Sequence, residues 1–164
     1  MAEGNNVMAT SAIPILYEDN HLLVVVKPPN ILSQADRTGD QDLLSMLKDY
    51  IRETYNKPGN VYLGLVHRLD RPVGGVMVLA KTSKAARRLA EQMRTRTLQR
   101  SYLAAVWGHP KTLQGGLQDY LLKDRKANLV RVCKPGERGA QKARLDYEVV
   151  DMSAQLSLLR VRLE

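Results

Sequence analysis

One carboxylate stands between two guanidinium groups in the segment His67-Arg68-Leu69-Asp70-Arg71-Pro72-Val73-Gly74-Gly75. Pro72 restricts the backbone after Asp70, and the glycine pair permits a tight local path. Two readings of Asp70 are open. Its side chain can cap its own turn by accepting from nearby backbone N–H groups. Alternatively, its cationic neighbours hold it ionised in a basic groove. Other chemistries find little material. The run from Gly75 to Lys81-Thr82 comes near a phosphate-binding loop, but it lacks the second glycine and reads as strand. His21, His67 and His109 are widely separated and Cys133 stands alone, so neither metal-ligand spacing nor a Ser-His-Asp or Cys-His arrangement is visible.

The elements that must position Asp70 follow from periodicity. Residues 15–26 give an apolar strand signal, closed by Lys27-Pro28-Pro29, whose prolines remove ladder donors. A helix is expected to start near Asp40 or Asp42, with Leu43, Leu44, Leu47, Tyr50 and Ile51 at helical spacing. Residues 61–66 form a short strand that enters the Asp70 segment, and residues 76–80 form a buried-type strand that leaves it. Thr82 or Ser83 caps a second helix with Ala85, Ala86, Leu89 and Met93 on one face. Strands are expected at 101–107, 143–150 and 156–163, with a loop at 134–139. The final strand is expected to leave an open sheet edge. This mix predicts an α+β fold with a mixed, largely antiparallel sheet flanked by helices.

Length and composition bound the rest. The chain has 164 residues, 44% hydrophobic and 26% charged, as in a globular domain with a real core. Lys plus Arg number 25 against 17 acids, a formal charge of +8 that favours a polyanionic partner. A single cysteine excludes an internal disulfide and fits a reducing compartment, so the cytoplasm is expected. The longest apolar run, 22–26, is far below the roughly 20 residues that span a bilayer, and no membrane association is expected. Residues 1–12 lack a secretory pattern and are expected to be a disordered lead-in to one domain at 13–164.

HRLDRPVGG followed by VMVLAKTSKAA resembles the signature of the RluA-type RNA pseudouridine synthases. Two further blocks resemble that family in order. One is Ile15-Leu16-Tyr17-Glu18-Asp19-Asn20-His21, leading through 23–26 to a Lys27-Pro28 turn. The other is Arg100-Ser101-Tyr102-Leu103-Ala104-Ala105-Val106-Trp107-Gly108. Where the family often has Thr-Ser before the motif glycine, this chain has Val73-Gly74.

The resemblance implies a pseudouridine-synthase-type fold that isomerises uridine to pseudouridine in structured RNA, ribosomal more than transfer RNA. It implies no cofactor and no metal, since the reaction needs no redox step or group donor. Asp70 is the implied nucleophile, or in a competing route the base that removes a ribose 2′ proton to give a glycal. Tyr102 is the implied second catalytic residue, a ring for the flipped base whose hydroxyl assists C5 deprotonation. By strand pattern alone, Tyr102 instead packs a core. Arg68, His67, Arg71 and Arg100 are assigned to RNA, with His67 also supporting the loop around Asp70. The basic residues of the helix after Thr82 are candidates for phosphate contacts, or simply a wet helix face. The family's third block, Thr-Gly-Arg-x-His-Gln-Ile-Arg, would follow the strand at 158–164 and carry a basic partner for the carboxylate. The C-terminal part of the sheet is therefore expected to be missing from this chain. The rival expectation is a catalytically incomplete fragment, or an RNA-binding protein retaining the first part of the fold. A monomer is expected.

Overall fold

The computed structural model describes residues 13–124, 127 and 129–163, so the expected lead-in at 1–12 lies outside the described residues. The chain divides into two compact units between Thr95 and Arg96.

The first unit is a four-stranded antiparallel sheet with two helices. Its strands are β1 (Ile15–Glu18), β2 (Leu22–Lys27), β3 (Gly64–Leu65) and β4 (Gly75–Ala80), in the order β1-β2-β4-β3. The apolar run at 15–26 is not one strand but a hairpin. Asp19 breaks it, because its Oδ1 accepts from the backbone N–H groups of His21 and Leu22 at 2.7 and 2.6 Å. Period-two alternation in β2 turns Leu23, Val25 and Lys27 to the core, all fully buried. Met77 and Leu79 of β4 join them opposite Val25 and Leu23.

Helix α1 (Leu43–Thr54) starts at the expected cap, Asp42, which accepts from the Ser45 N–H at 3.1 Å. It adds Leu43, Leu47 and Ile51 to the same core, each burial worth about 1.5–3 kcal/mol. Helix α2 (Ser83–Arg94) starts at Thr82, whose Oγ1 accepts from the Ala85 N–H at 3.2 Å. Its Ala85 and Leu89 pack with Ala80 in a smaller cluster.

The second unit is a five-stranded antiparallel sheet. It contains β5 (Ser101–Trp107), β6 (Gln114–Asp124), β7 (Leu129–Cys133), β8 (Gln141–Met152) and β9 (Leu156–Leu163), in the order β5-β9-β8-β6-β7. One expectation is corrected here. The last strand is not a sheet edge, because β9 pairs with β5 on one side and β8 on the other. Ser157 of β9 is fully buried; its hydroxyl donates to the Gly108 carbonyl at 2.8 Å and receives His109 Nδ1 at 3.0 Å. The α+β class and antiparallel pairing are as read from the pattern, but two separate sheets replace the single one expected.

A polar cluster ties β1, α1 and the end of β4 together. Glu18 accepts from Tyr50 at 2.9 Å, Tyr55 at 2.8 Å and Lys81 at 2.5 Å, and the Lys81 ammonium lies 4.7 Å from the Tyr55 ring centre. Burial opposes the Glu18 charge, but the hydrogen bonds from Lys81, Tyr55 and Tyr50 outweigh it and hold the carboxyl below its ordinary value. Burial also opposes the Lys81 charge, yet the bond and attraction to Glu18 hold the ammonium above its ordinary value.

The two shifts act at opposite ends of the pH scale. The Glu18 contribution is complete above the ordinary carboxylate range and is lost as pH falls through the lowered folded value. The Lys81 contribution is complete below the ordinary lysine range and is lost as pH rises through the raised one. Replacing Glu18→Gln is expected to cost about 2 kcal/mol near neutral pH. It should also flatten the acid decline of Tm below about pH 5, read from thermal melts of both proteins between about pH 3 and 8.

Candidate active site

Asp70 lies in the loop between β3 and β4, exposed, while the residue before it is tied down. Leu69 packs its side chain on the core of the first unit. Its backbone exchanges two hydrogen bonds with one serine. Ser33 Oγ donates to the Leu69 carbonyl at 2.6 Å and accepts from the Leu69 N–H at 3.2 Å. After Asp70 the chain turns back at once, with the Val73 N–H donating to the Asp70 carbonyl at 3.0 Å. The Arg71 carbonyl accepts from the Asn30 N–H at 2.7 Å. The neighbours on either side of Asp70 are therefore both fixed to the loop that follows β2.

Lys27 completes this clamp. Its ammonium, buried with the rest of the residue, donates to the carbonyls of Ile31 at 2.6 Å, Pro28 at 3.0 Å and Arg71 at 3.3 Å. Burial pushes the ammonium below the usual lysine range, and the Asp70 charge pulls it partly back. Among the described residues no hydrogen bond reaches the Asp70 carboxylate, which faces solvent from a backbone held on both sides.

The glycine pair has a steric cause. A Cβ on Gly74 would meet Pro29 Cδ at 3.2 Å and the Lys27 carbonyl at 3.3 Å, so a side chain there would push the loop and the Pro28-Pro29 turn apart by a few tenths of an ångström. Gly75 has φ +152° and sits opposite Lys27 in the β2–β4 ladder. The Val73-Gly74 departure noted in the sequence is thus part of a close backbone approach.

The remaining sequence-assigned residues fall as follows. His67 Nε2 accepts the Val78 N–H at 3.0 Å, bracing the loop against β4 and fixing Nε2 as the unprotonated nitrogen. Arg68 is exposed beside Asp70. Arg71 pairs with Asp40 at 2.7 Å, both half exposed, so its guanidinium is engaged by the loop at 34–41. Arg100 and Tyr102 belong to the second unit. Arg100 is exposed just before β5. Tyr102 is half-buried on β5, paired with Val161, and lines an apolar groove of about 620 Å³ with Ala104, Leu145 and Tyr147.

Lys27 and Ser33 are the site residues that pattern reading missed. The signal for Lys27 was its place in the inward row Leu23-Val25-Lys27, where a third apolar side chain would be expected. Ser33 left none, since its partner is 36 residues away.

Removing the Lys27 ammonium leaves the Pro28 and Ile31 carbonyls without this donor and the Arg71 carbonyl with the Asn30 N–H alone. Lys27→Met is therefore expected to lower stability by about 2–4 kcal/mol in urea titrations, and Ser33→Ala by about 1 kcal/mol. A Lys27→Met protein as stable as the parent would show that the clamp is not structural.

Known proteins share parts of this sequence and this fold. The chain is 36% identical over 141 residues to the dual-specificity RNA pseudouridine synthase RluA of Escherichia coli K12, covering 85% of this chain and 60% of that protein. It is 38% identical over 134 residues to the ribosomal large subunit pseudouridine synthase C of Salmonella typhi, covering 79% and 40%. The chain thus spans 60% or less of the length of these relatives. The human RNA pseudouridylate synthase domain containing 4 shares its fold, with a TM-score of 0.76 at 23% identity over 92% of this chain and 58% of that one. The family model described as RNA pseudouridylate synthase matches residues 21–164, and the chain belongs to that family.

Proposed function

We propose that this chain carries the nucleophile-bearing part of an RNA pseudouridine synthase, with Asp70 as the nucleophile. The observation that carries the reading is one carboxylate exposed on a backbone fixed immediately before and after it. That is the arrangement a positioned nucleophile needs, with its rotamer free to reach substrate and its Cα held. The nearby Lys27 ammonium adds a fixed positive charge whose field reaches Asp70.

In this mechanism a uridine leaves its stack, at a cost of a few kcal/mol. A carboxylate oxygen of Asp70 attacks ribose C1′, the N1–C1′ bond breaks, and its electron pair leaves with the uracil. The uracil rotates and C5 bonds to C1′, returning the electron pair of the ester bond to the carboxylate. C5 then loses its proton to a base and N1 gains one. The reaction is an isomerisation and balances without a redox partner. The competing glycal route uses the same carboxylate, ionised, to take the 2′ proton.

Tyr102 is proposed to stack on the extruded base, worth about 1–3 kcal/mol, and to assist proton removal at C5. Arg68, His67, Arg71 and Arg100 are proposed to face the RNA. Both units are read as parts of one catalytic domain over residues 13–164, acting as a monomer. The names of the relatives favour ribosomal over transfer RNA, and the single cysteine favours the reducing cytoplasm.

RNA tritiated at uracil C5 tests this, because isomerisation releases the label as water. Release is expected from this chain and from the Escherichia coli relative run beside it. Asp70→Asn should lower release by roughly 1000-fold or more, and Tyr102→Phe by a smaller factor. Release that survives Asp70→Asn would remove Asp70 as nucleophile. RNA binding without release, while the relative is active, would establish the RNA-binding reading instead.

A further inference from the structure

A second feature of the first unit lies away from the Asp70 loop. A pocket of about 310 Å³ opens between the β1–β2 turn and α2, with Ala85 and Leu89 in its lining and His21, Lys84 and Arg88 around it. Its charge arrangement works against helix stability. Lys84 stands in the first turn of α2, which holds no acid, where the positive end of the helix dipole disfavours a cation. Lys84 and Arg88 are four residues apart on the same face, a like-charge spacing that destabilises a helix by a few tenths of a kcal/mol.

Two cations flanking this stretch are neutralised, whereas among the described residues Lys84, Arg87 and Arg88 are not, and of these three Lys84 and Arg88 line the pocket. Arg94 pairs with Glu91, and Lys81 with Glu18. Among the described residues Lys84 and Arg88 have no ion pair. The acid in the pocket lining, Asp19, is spent on the turn. Its Oδ1 takes two backbone N–H groups and its Oδ2 takes the Tyr17 hydroxyl at 2.9 Å. A local rule broken twice without internal compensation is the mark of a site kept for a ligand.

We infer that this pocket seats a backbone phosphate of the RNA, held between Lys84 and Arg88 with His21 at its rim. The inference rests on the proposed RNA substrate. No Phe, Tyr or Trp ring lines the pocket, so its platform for a base is poor, while its paired cations suit the sequence-independent charge of the backbone. It therefore contributes register and affinity but not choice of uridine.

The experiment is a salt titration of binding to two fluorescein-labelled RNA hairpins of unrelated sequence. The proteins are the parent chain, the double variant Lys84→Gln with Arg88→Gln, and Lys48→Gln on α1 as a single-charge control. The double variant is expected to bind both hairpins several-fold more weakly by the same factor. Its slope of log K against log salt should be shallower by about one unit, while Lys48→Gln keeps the parent slope. In tritium release its KM should rise with kcat unchanged. Its melting temperature should match or exceed that of the parent, because the like-charge pair is gone. A double variant with the parent slope and affinity overturns the phosphate site, leaving a wet helix face. A change confined to one hairpin overturns it in favour of base recognition. If the slope changes as expected but no tritium is released, the phosphate site stands and the catalytic reading falls. A parent chain that binds neither hairpin overturns both.

Discussion

The first unit is organised around one ammonium group in a dry interior. Lys27 ends a row of inward-facing side chains, and its charge is accommodated by three carbonyls rather than by a directly bonded carboxylate. Carbonyl dipoles are weaker partners than a salt bridge, so such a group stays buried only if the backbone presents all of them at once. That condition fixes two loops. One follows β2, and the other carries Asp70. The glycine at 74, the hydroxyl of Ser33 and the Asn30 N–H all serve the same juxtaposition.

The division of labour along the Asp70 loop follows from this. Leu69 is anchored in apolar contacts, the Arg71 backbone in hydrogen bonds, and the residue between them is left to solvent. A carboxylate so placed gives up the turn-capping hydrogen bonds that would satisfy it in an ordinary loop. The phosphate pocket proposed on α2 shows the same logic at lower stakes, with cations kept where helix energetics alone would place acids.

Much of this was legible from residue pattern. Asp42 and Thr82 announced both helices, because an N-cap is a local bargain between one side chain and the next turn. The Asp70 segment stood out because proline, glycine and flanking charge occur together. What escaped was non-local. A lysine at a strand end reads as solvent-facing until its periodic position is counted, and even then its carbonyl partners are invisible. The hairpin at Asp19 had a local signal, the four polar residues Glu18-Asp19-Asn20-His21, which a single strand over 15–26 overlooks. Strand order was unreadable as well, since alternation in β9 says which side chains share a face but not which strands lie beside it.

The central place of β9 has a consequence for how the second sheet is made. β6, β7 and β8 can pair as they leave the ribosome, each with a neighbour close in sequence. β5 cannot join them until β9 has formed between it and β8. Until then β5 holds Leu103 and Trp107, both strongly exposed even in the finished sheet, on a strand with no partner. In the order of synthesis β5 is therefore made first, while its partner is made last. The β5–β9 pairing spans the longest sequence separation in this sheet, so its closure carries the largest loop entropy and β5 waits longest for a partner during synthesis.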